Sequence, residues 1–264
     1  MSNGTESQPR IALLIDADNA PAELIDEILT ELSTLGVINI RRAYGNWTKS
    51  ALSGWQERLL AFAIRPMQQF DYSKRKNASD MAMTVDAMEL LYTERPDAFG
   101  IVSSDADFTP LVMHLRAKGA AVYGFGAAQT PPPFVNACSR FLYLEALAQA
   151  HAEAEGDTAG VSVAAESKPA PTARAAPRMR VPTSQLRQNT ALMNLLRDAV
   201  HAVQDESGWA KVGAVGTQIS NKASFDPRNY GYATLSKLLA ATEAFEWRDE
   251  STSRVAVRDK HHPR

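Results

Sequence analysis

At 264 residues, with 45% apolar and 22% charged side chains, the chain is long enough to bury a real core in one large domain or two ordinary ones. A single cysteine, Cys138, excludes an internal disulfide framework and points to a reducing compartment. The opening MSNGTESQPR is no signal peptide, and apolar runs such as LLAFAI (59–64) are too short to span a bilayer, so a cytoplasmic protein without a membrane partner is expected.

The net charge of −2 is unevenly spread: residues 1–150 hold 13 basic and 17 acidic side chains, whereas residues 178–264 hold 13 and 9. A basic end behind an acidic body suggests a polyanionic partner there. A net excess this small does not by itself separate nucleic acid binding from a solvated surface.

In chain order, strand patterns fit 11–16, 37–44, 64–70, 98–103 and 120–125. Helical patterns fit 21–35, with Leu24, Ile25, Ile28, Leu32 and Leu35 on one face, then 50–62, 80–93 and 108–118. The alternation predicts an α/β domain with a mainly parallel sheet and helices on both faces.

The first strand runs apolar and then ends on Asp16, Asp18 and Asn19, in IALLIDADNA. Ligands of open α/β sheets lie beyond the carboxyl ends of the strands, where these side chains would stand. The competing reading is helix capping, with Asp18 or Asn19 serving a helix that starts at Pro21. FGIVSSDADF (99–108) repeats the pattern with Asp105 and Asp107. KRKNASDMAMTVDAMELL (74–91) sets Asp80 at a helix start, with Asp86 further along. Clustered carboxylates repel unless protonated or neutralised by a cation. Oxygen donors without Cys or His suit Mg²⁺ or Mn²⁺, and such centres serve phosphodiester chemistry.

LLIDADNA, KNASDMAMTVDAMELL and IVSSDADFTPLVMHLRAKGAAVYGFG closely resemble the NYN domain, a branch of the PIN-like ribonuclease superfamily. The resemblance covers essentially all of 10–146, including AYGNW (43–47). It implies a PIN-like Rossmannoid fold and a metal-dependent nuclease, an (endo)ribonuclease acting mainly on RNA. By position it puts Asp16, Asp80, Asp105 and Asp107 in the family's acidic metal-binding set and Asn19 beside them as polar companion. Ala106 stands where the family's second acidic motif usually has glycine. Asp18 and Asp86 lie in the same motifs. Helix positions six apart are offset by roughly 120°, so Asp80 and Asp86 should not point at one metal. Asp86 is read as structural.

Arg41, Arg42, Lys49, Lys74, Arg75 and Lys76 flank the predicted carboxyl edge or lead into it. They could offset the negative field and admit a phosphate backbone. Tyr44 and Trp47 could stack a base, with core packing the competing role for Trp47. Cys138 and His114 sit in no nucleophile motif, and GFG (124–126) lacks the third glycine and helix of a dinucleotide site. His261 and His262 fall in a polar tail. DAD after a strand also resembles the haloacid dehalogenase phosphatases, yet no downstream Lys and acidic pair follows in that order.

The stretch HAEAEGDTAGVSVAAESKPAPTARAAPRMRVPTS (151–184) has almost no large apolar residue and is expected to be a flexible linker. The domains predicted are thus 10–148, a linker over 149–184, and 185–260. In the last, QNTALMNLLRDAVHAV, GWAKVGAVGTQIS and ATLSKLLAAT read as three helices, with FEWRD and RVAVRD as a hairpin. That is a small winged helix-turn-helix. GWAKVGAVGTQISNKASFDPRNYGYATLSKLL closely resembles the OST-HTH domain, also called LOTUS, over about 188–258. The resemblance implies RNA binding or a protein partner of RNA metabolism. Trp209, Phe225, Tyr230 and Leu235 are read as core, and Lys211, Lys222, Arg228 and Lys237 as candidate phosphate contacts. Two functions fit: a Mg²⁺- or Mn²⁺-dependent ribonuclease with an RNA- or partner-binding module, and a catalytically silent RNA-binding adaptor.

Overall fold

Strand β1 (Arg10–Asp16) carries five consecutive apolar residues, Ile11 to Ile15, all fully buried. Burial of both faces marks a central strand of a parallel sheet. In the computed structural model, which describes residues 8–70, 78–149, 180–249 and 255–260, β1 lies between β2 (Val37–Gly45) and β4 (Ala98–Val102). The remaining strands are β3 (Arg65–Gln68), β5 (Ala121–Gly126) and β6 (Arg140–Tyr143), in the order β3-β2-β1-β4-β5-β6. Every pairing in this sheet is parallel. The chain therefore winds outward from β1 to β3, returns, and winds outward again from β4 to β6. The order reverses between β1 and β4, and a doubly wound sheet opens a crevice at that point.

Alternate residues of β1 bury opposite ways. Ala12 and Leu14 join Tyr44, Phe99, Ile101 and Val122 in a core closed by α3 (Ala78–Thr93) and α4 (Thr109–Ala117), through side chains such as Met83, Leu90, Leu111 and Leu115. On the other face a side chain at Gly100 would meet Leu32 at 2.9 Å and Leu13 at 3.1 Å, so α1 (Ile25–Ser33) packs directly on the strands there. Helix α2 (Trp55–Ala61) bridges β2 and β3. Helices on both faces of a parallel sheet are as expected.

Several boundaries differ from the sequence pattern. Pro21 begins a 3-10 turn, Ala22–Leu24, ahead of α1, and another, Ala106–Phe108, precedes α4. The sequence pattern did not reveal α5 (Pro132–Ala137) and β6, because PPPFVNACSRFLY is too short for either period to show. A further helix, α6, begins over 144–149. The expected linker falls almost wholly on 150–179, outside the described residues.

The C-terminal unit starts before its expected first helix. The Val181 N–H donates to the Tyr230 carbonyl at 3.2 Å and the Val181 carbonyl accepts from the Tyr232 hydroxyl at 2.9 Å. A short helix, α7 (Thr183–Gln188), leads into α8 (Thr190–Val203), whose N-cap Asn189 accepts from the Leu192 N–H. Then come α9 (Val212–Lys222), α10 (Leu235–Thr242) and the antiparallel strands β8 (Phe245–Arg248) and β9 (Ala256–Asp259). A two-residue strand, β7 (Ala210–Lys211), adds to β9. Leu196, Val215, Leu238, Phe245 and Val257 fill one core, and Phe225, Tyr230 and Leu235 pack against it as read from the sequence. The expected three helices and wing are present, with α7 added ahead of them.

Candidate functional site

Asp16 closes β1 at the reversal of strand order, with 1% of its surface exposed. Its Oδ2 accepts from the Asn19 amide at 2.7 Å and from the Ser103 hydroxyl at 2.9 Å. Its Oδ1 is buried with no hydrogen-bond partner among the described residues. Burial raises the Asp16 pKa, the two hydrogen bonds oppose that shift, and the neighbouring Asp18 and Asp105 add to it.

Capping does not explain the polar strand end. Pro21 occupies the N-cap position of the following turn and no side chain caps it. Asn19 turns back to Asp16, while Asp18 accepts from Ser79 at 2.9 Å and faces Lys49 at 3.7 Å. Ser79 sits in the first turn of α3, so DAD and SD come from different elements to one place.

Asp80, one residue on, has its pKa pushed up to about 6 by burial first, then by the charges of Asp16, Asp105, Asp18 and Asp107. All four therefore lie close enough to Asp80 to act on it. Asp105 caps the 3-10 turn after β4 by accepting from the Asp107 N–H at 2.8 Å, and its own N–H donates to Ser103 Oγ at 3.1 Å. Asp107 is exposed. The strand ends of β1 and β4 and the start of α3 thus contribute one acidic field.

Hard oxygen donors with one orphaned, buried acceptor suit a divalent cation. As placed, however, no group of three or more Asp, Glu, His or Cys among the described residues could hold a metal ion. Three of the carboxylates are turned to donors of their own: Asp16 to Asn19 and Ser103, Asp18 to Ser79, Asp105 to the Asp107 N–H.

The basic candidates divide. Arg42 is tied to Asp86 on α3, and the Tyr44 hydroxyl donates to the other Asp86 oxygen. Tyr44 is fully buried, so it cannot stack a base, and Arg42 braces β2 against α3. Asp86 is structural as expected, bonding two side chains of β2. Arg41 donates to the Phe62 carbonyl at 2.8 Å. Lys49 is the basic side chain placed at the acidic turn. Lys74, Arg75 and Lys76 lie outside the described residues, as do His261 and His262.

Cys138 is buried with its thiol pushed up to about 12, and its Sγ donates to the Phe134 carbonyl. His114 meets Tyr92 instead, which removes the pair as nucleophile and base. In GFG, a side chain at Gly126 would strike the Ser103 carbonyl at 2.6 Å, so that glycine lets β5 close on β4 beside the site.

In the C-terminal unit Lys222 pairs with Asp198 at 2.6 Å on the surface, and Arg228 is held by the buried Asp226. Lys211 and Lys237 are exposed. The sequence pattern did not reveal a cluster on the outer face of the wing. The guanidinium groups of Arg248 and Arg258 each lie 4.9 Å from the Trp209 ring centroid. Trp209 is thus stacked by cations and not packed in the core, against expectation. The signal was the alternation in FEWR and VAVRD, which points Arg248 and Arg258 the same way across paired strands.

The NYN domain model matches residues 10–145, just over half of the chain, and the OST-HTH/LOTUS domain model matches residues 185–256. The chain belongs to the NYN-domain family and carries an OST-HTH/LOTUS domain behind it. An uncharacterised protein of Methanocaldococcus jannaschii is 32% identical over 126 residues, 46% of this chain and 49% of its own. The chain thus spans about half the length of that curated relative. A Vibrio parahaemolyticus protein of unknown function superposes with a TM-score of 0.43 at 18% identity, over 54% of this chain and 96% of its own. An uncharacterised Nitrosomonas europaea protein gives 0.24 at 27% identity, over 39% and 98%. With scores this low, neither adds to the fold assignment. The two domains together support a nuclease or RNA-binding role. Among the described residues no helix is long and apolar enough to cross a membrane.

Proposed function

We propose that the protein hydrolyses RNA phosphodiester bonds at the acidic edge between β1 and β4, with Mg²⁺ or Mn²⁺ as cofactor. The observation that carries this reading is the buried Oδ1 of Asp16, which has no hydrogen-bond partner among the described residues and lies near Asp18, Asp80 and Asp105. Most buried polar side-chain atoms in folded proteins are hydrogen-bonded. Asp16, Asp80, Asp105 and Asp107 would hold the cation, which supplies charge neutralisation at the phosphate and a more acidic bound water.

The chain's own residues set the stage. Asn19 and Ser103 fix Asp16 through Oδ2 and leave Oδ1 as the exchangeable acceptor. Lys49, beside Asp18, offers a positive charge to an approaching phosphate. Asp80, half-buried among like charges, is the group whose ionisation a cation relieves most. In the C-terminal domain, Trp209 with Arg248 and Arg258, together with the exposed Lys211 and Lys237, would hold RNA by stacking and phosphate contacts. A docked protein is the alternative partner of that domain.

A second reading, the catalytically silent RNA-binding adaptor, draws on a specific observation: the carboxylates, as placed, do not close around an ion. Thermal denaturation with and without Mn²⁺ separates the two. A nuclease centre is stabilised by the ion and loses that response in Asp80→Asn. An adaptor shows no specific response.

A further inference from the structure

A cleft of about 480 Å³ opens beside the acidic edge, and of its lining the chemistry above uses Lys49 alone. Its walls are Trp47, Leu52, Leu59 and Pro66, with Lys49 and Gln56 supplying polar groups. The size falls within the range of small-ligand sites, roughly 300–1,000 Å³.

Two links tie this cleft to the acidic residues. Lys49, which lines it, reaches to 3.7 Å from Asp18. A side chain at Gly45 would meet Leu52 at 2.8 Å, Ala17 at 3.6 Å and Trp47 at 3.9 Å, so the Trp47 ring borders the turn that carries Asp16 and Asp18.

The Trp47 platform is braced from behind. Its backbone N–H donates to Gln68 Oε1 at 3.1 Å, and Gln68 Nε2 donates to Asn46 Oδ1 at 3.1 Å. Asn46 Oδ1 also accepts from the Thr48 hydroxyl at 2.6 Å. The Trp47 indole N–H, in contrast, is buried with no hydrogen-bond partner among the described residues. An aromatic wall, apolar sides and a side-chain amide at the rim match a nucleobase, which has a π-face and a polar edge.

We infer that this cleft receives one nucleobase of the RNA substrate, stacked on Trp47, while Lys49 steadies the phosphate between that base and the acidic edge. The inference rests on the RNA-cleaving reading above. It adds a base-binding subsite, and with it a preference at one position beside the scissile bond.

The test uses the full chain and a randomised single-stranded RNA with Mn²⁺, mapping the ends of the products. Wild type should show a base preference at one fixed position from the cut. Trp47→Ala should erase it and raise KM about tenfold with kcat within about twofold, the loss of one stacked base. Trp47→Phe should retain both. Ser53→Trp, at the exposed rim of the same cleft, should raise KM by blocking entry without disturbing the core. Unchanged KM and product ends in both Trp47→Ala and Ser53→Trp would overturn the subsite.

A second readout does not need cleavage. Titration of the Trp209→Phe protein with a nucleoside monophosphate should quench tryptophan fluorescence, the same protein carrying Trp47→Ala should not be quenched, and ribose 5-phosphate should quench neither. Quenching in a protein that cuts no RNA would uphold the base cleft and sink the nuclease reading. Cleavage without Trp47-dependent quenching would do the reverse.

Discussion

Ser103, at the end of β4, donates its hydroxyl to Asp16, at the end of β1, across 87 residues of sequence and 2.9 Å of space. The two strands are neighbours at the point where the sheet changes winding direction. The same Ser103 oxygen accepts from the Asp105 N–H, so one hydroxyl sets both acidic strand ends.

Ser103→Ala should therefore misplace Asp16 and Asp105 together. The expected loss is about 1–2 kcal/mol of stability, as for a buried hydrogen bond with a charged partner. Cleavage should fall about tenfold in kcat with KM little changed, which corresponds to roughly 1.4 kcal/mol of transition-state stabilisation. Denaturant melts and steady-state kinetics on one preparation check both. A fully active variant would separate Ser103 from the site.

Asp80 makes the site sensitive to pH. Its pKa is raised from 3.8 to about 6, so the fold favours its neutral form. In metal-free protein its contribution to stability is fully present below pH 3.8 and is lost as pH rises through about 6. Asp80→Asn should then raise the melting temperature at pH 8 by a few degrees, an effect on the order of 1 kcal/mol after allowing for solvent screening of a half-exposed group. Mn²⁺ affinity of the wild type, measured by calorimetry, should be level above pH 7 and weaken below about 6 as protons compete. Affinity that stays constant from pH 5 to 8 would place the ion away from Asp80.

Asp86 should behave differently from its neighbours in the motif. Its carboxylate joins Arg42 and Tyr44, not the acidic field. Asp86→Ala leaves the Arg42 charge uncompensated inside the fold and should cost roughly 3 kcal/mol. The Mn²⁺ affinity of the folded fraction should stay as in wild type. A selective loss of metal binding at unchanged stability would return Asp86 to the site.

On the wing, Arg248→Ala with Arg258→Ala should weaken RNA binding uniformly across sequences. It should also reduce the slope of log affinity against log salt by about 1–2, one unit per lost phosphate contact. Lys237→Ala on α10 is the comparison. Gel-shift titrations at two salt concentrations measure both. An unchanged slope in the wing variant would make Trp209 and its arginines a protein-docking face.

Much of the fold and of the acidic edge is legible in the amino-acid sequence. Ile11 to Ile15 and Ala98 to Val102 announce buried parallel strands because both faces are apolar, and the acids that follow stand at the carboxyl edge. What pattern does not show is pairing across distance. Tyr44 and Trp47 share one motif, yet the first is sealed in the core and the second lines a cleft, since the course of the chain past Gly45 is not written in residue type. The brace between Arg42 and Asp86 joins β2 to α3 across 44 residues, and no local period encodes that contact. On the wing, Arg248 and Arg258 become a pair only through the register of β8 against β9, which places them on one face beside Trp209.

The most direct measurement is cleavage of a generic single-stranded RNA by the purified full chain and by Asp16→Asn, each with Mg²⁺, with Mn²⁺ and with excess chelator. Wild type should cut in either metal and stop in chelator. Asp16→Asn, which removes one charge at nearly constant shape, should melt normally and cut nothing. Cleavage by Asp16→Asn at the wild-type rate, or cleavage that persists in chelator, would contradict a metal-centred nuclease built on Asp16.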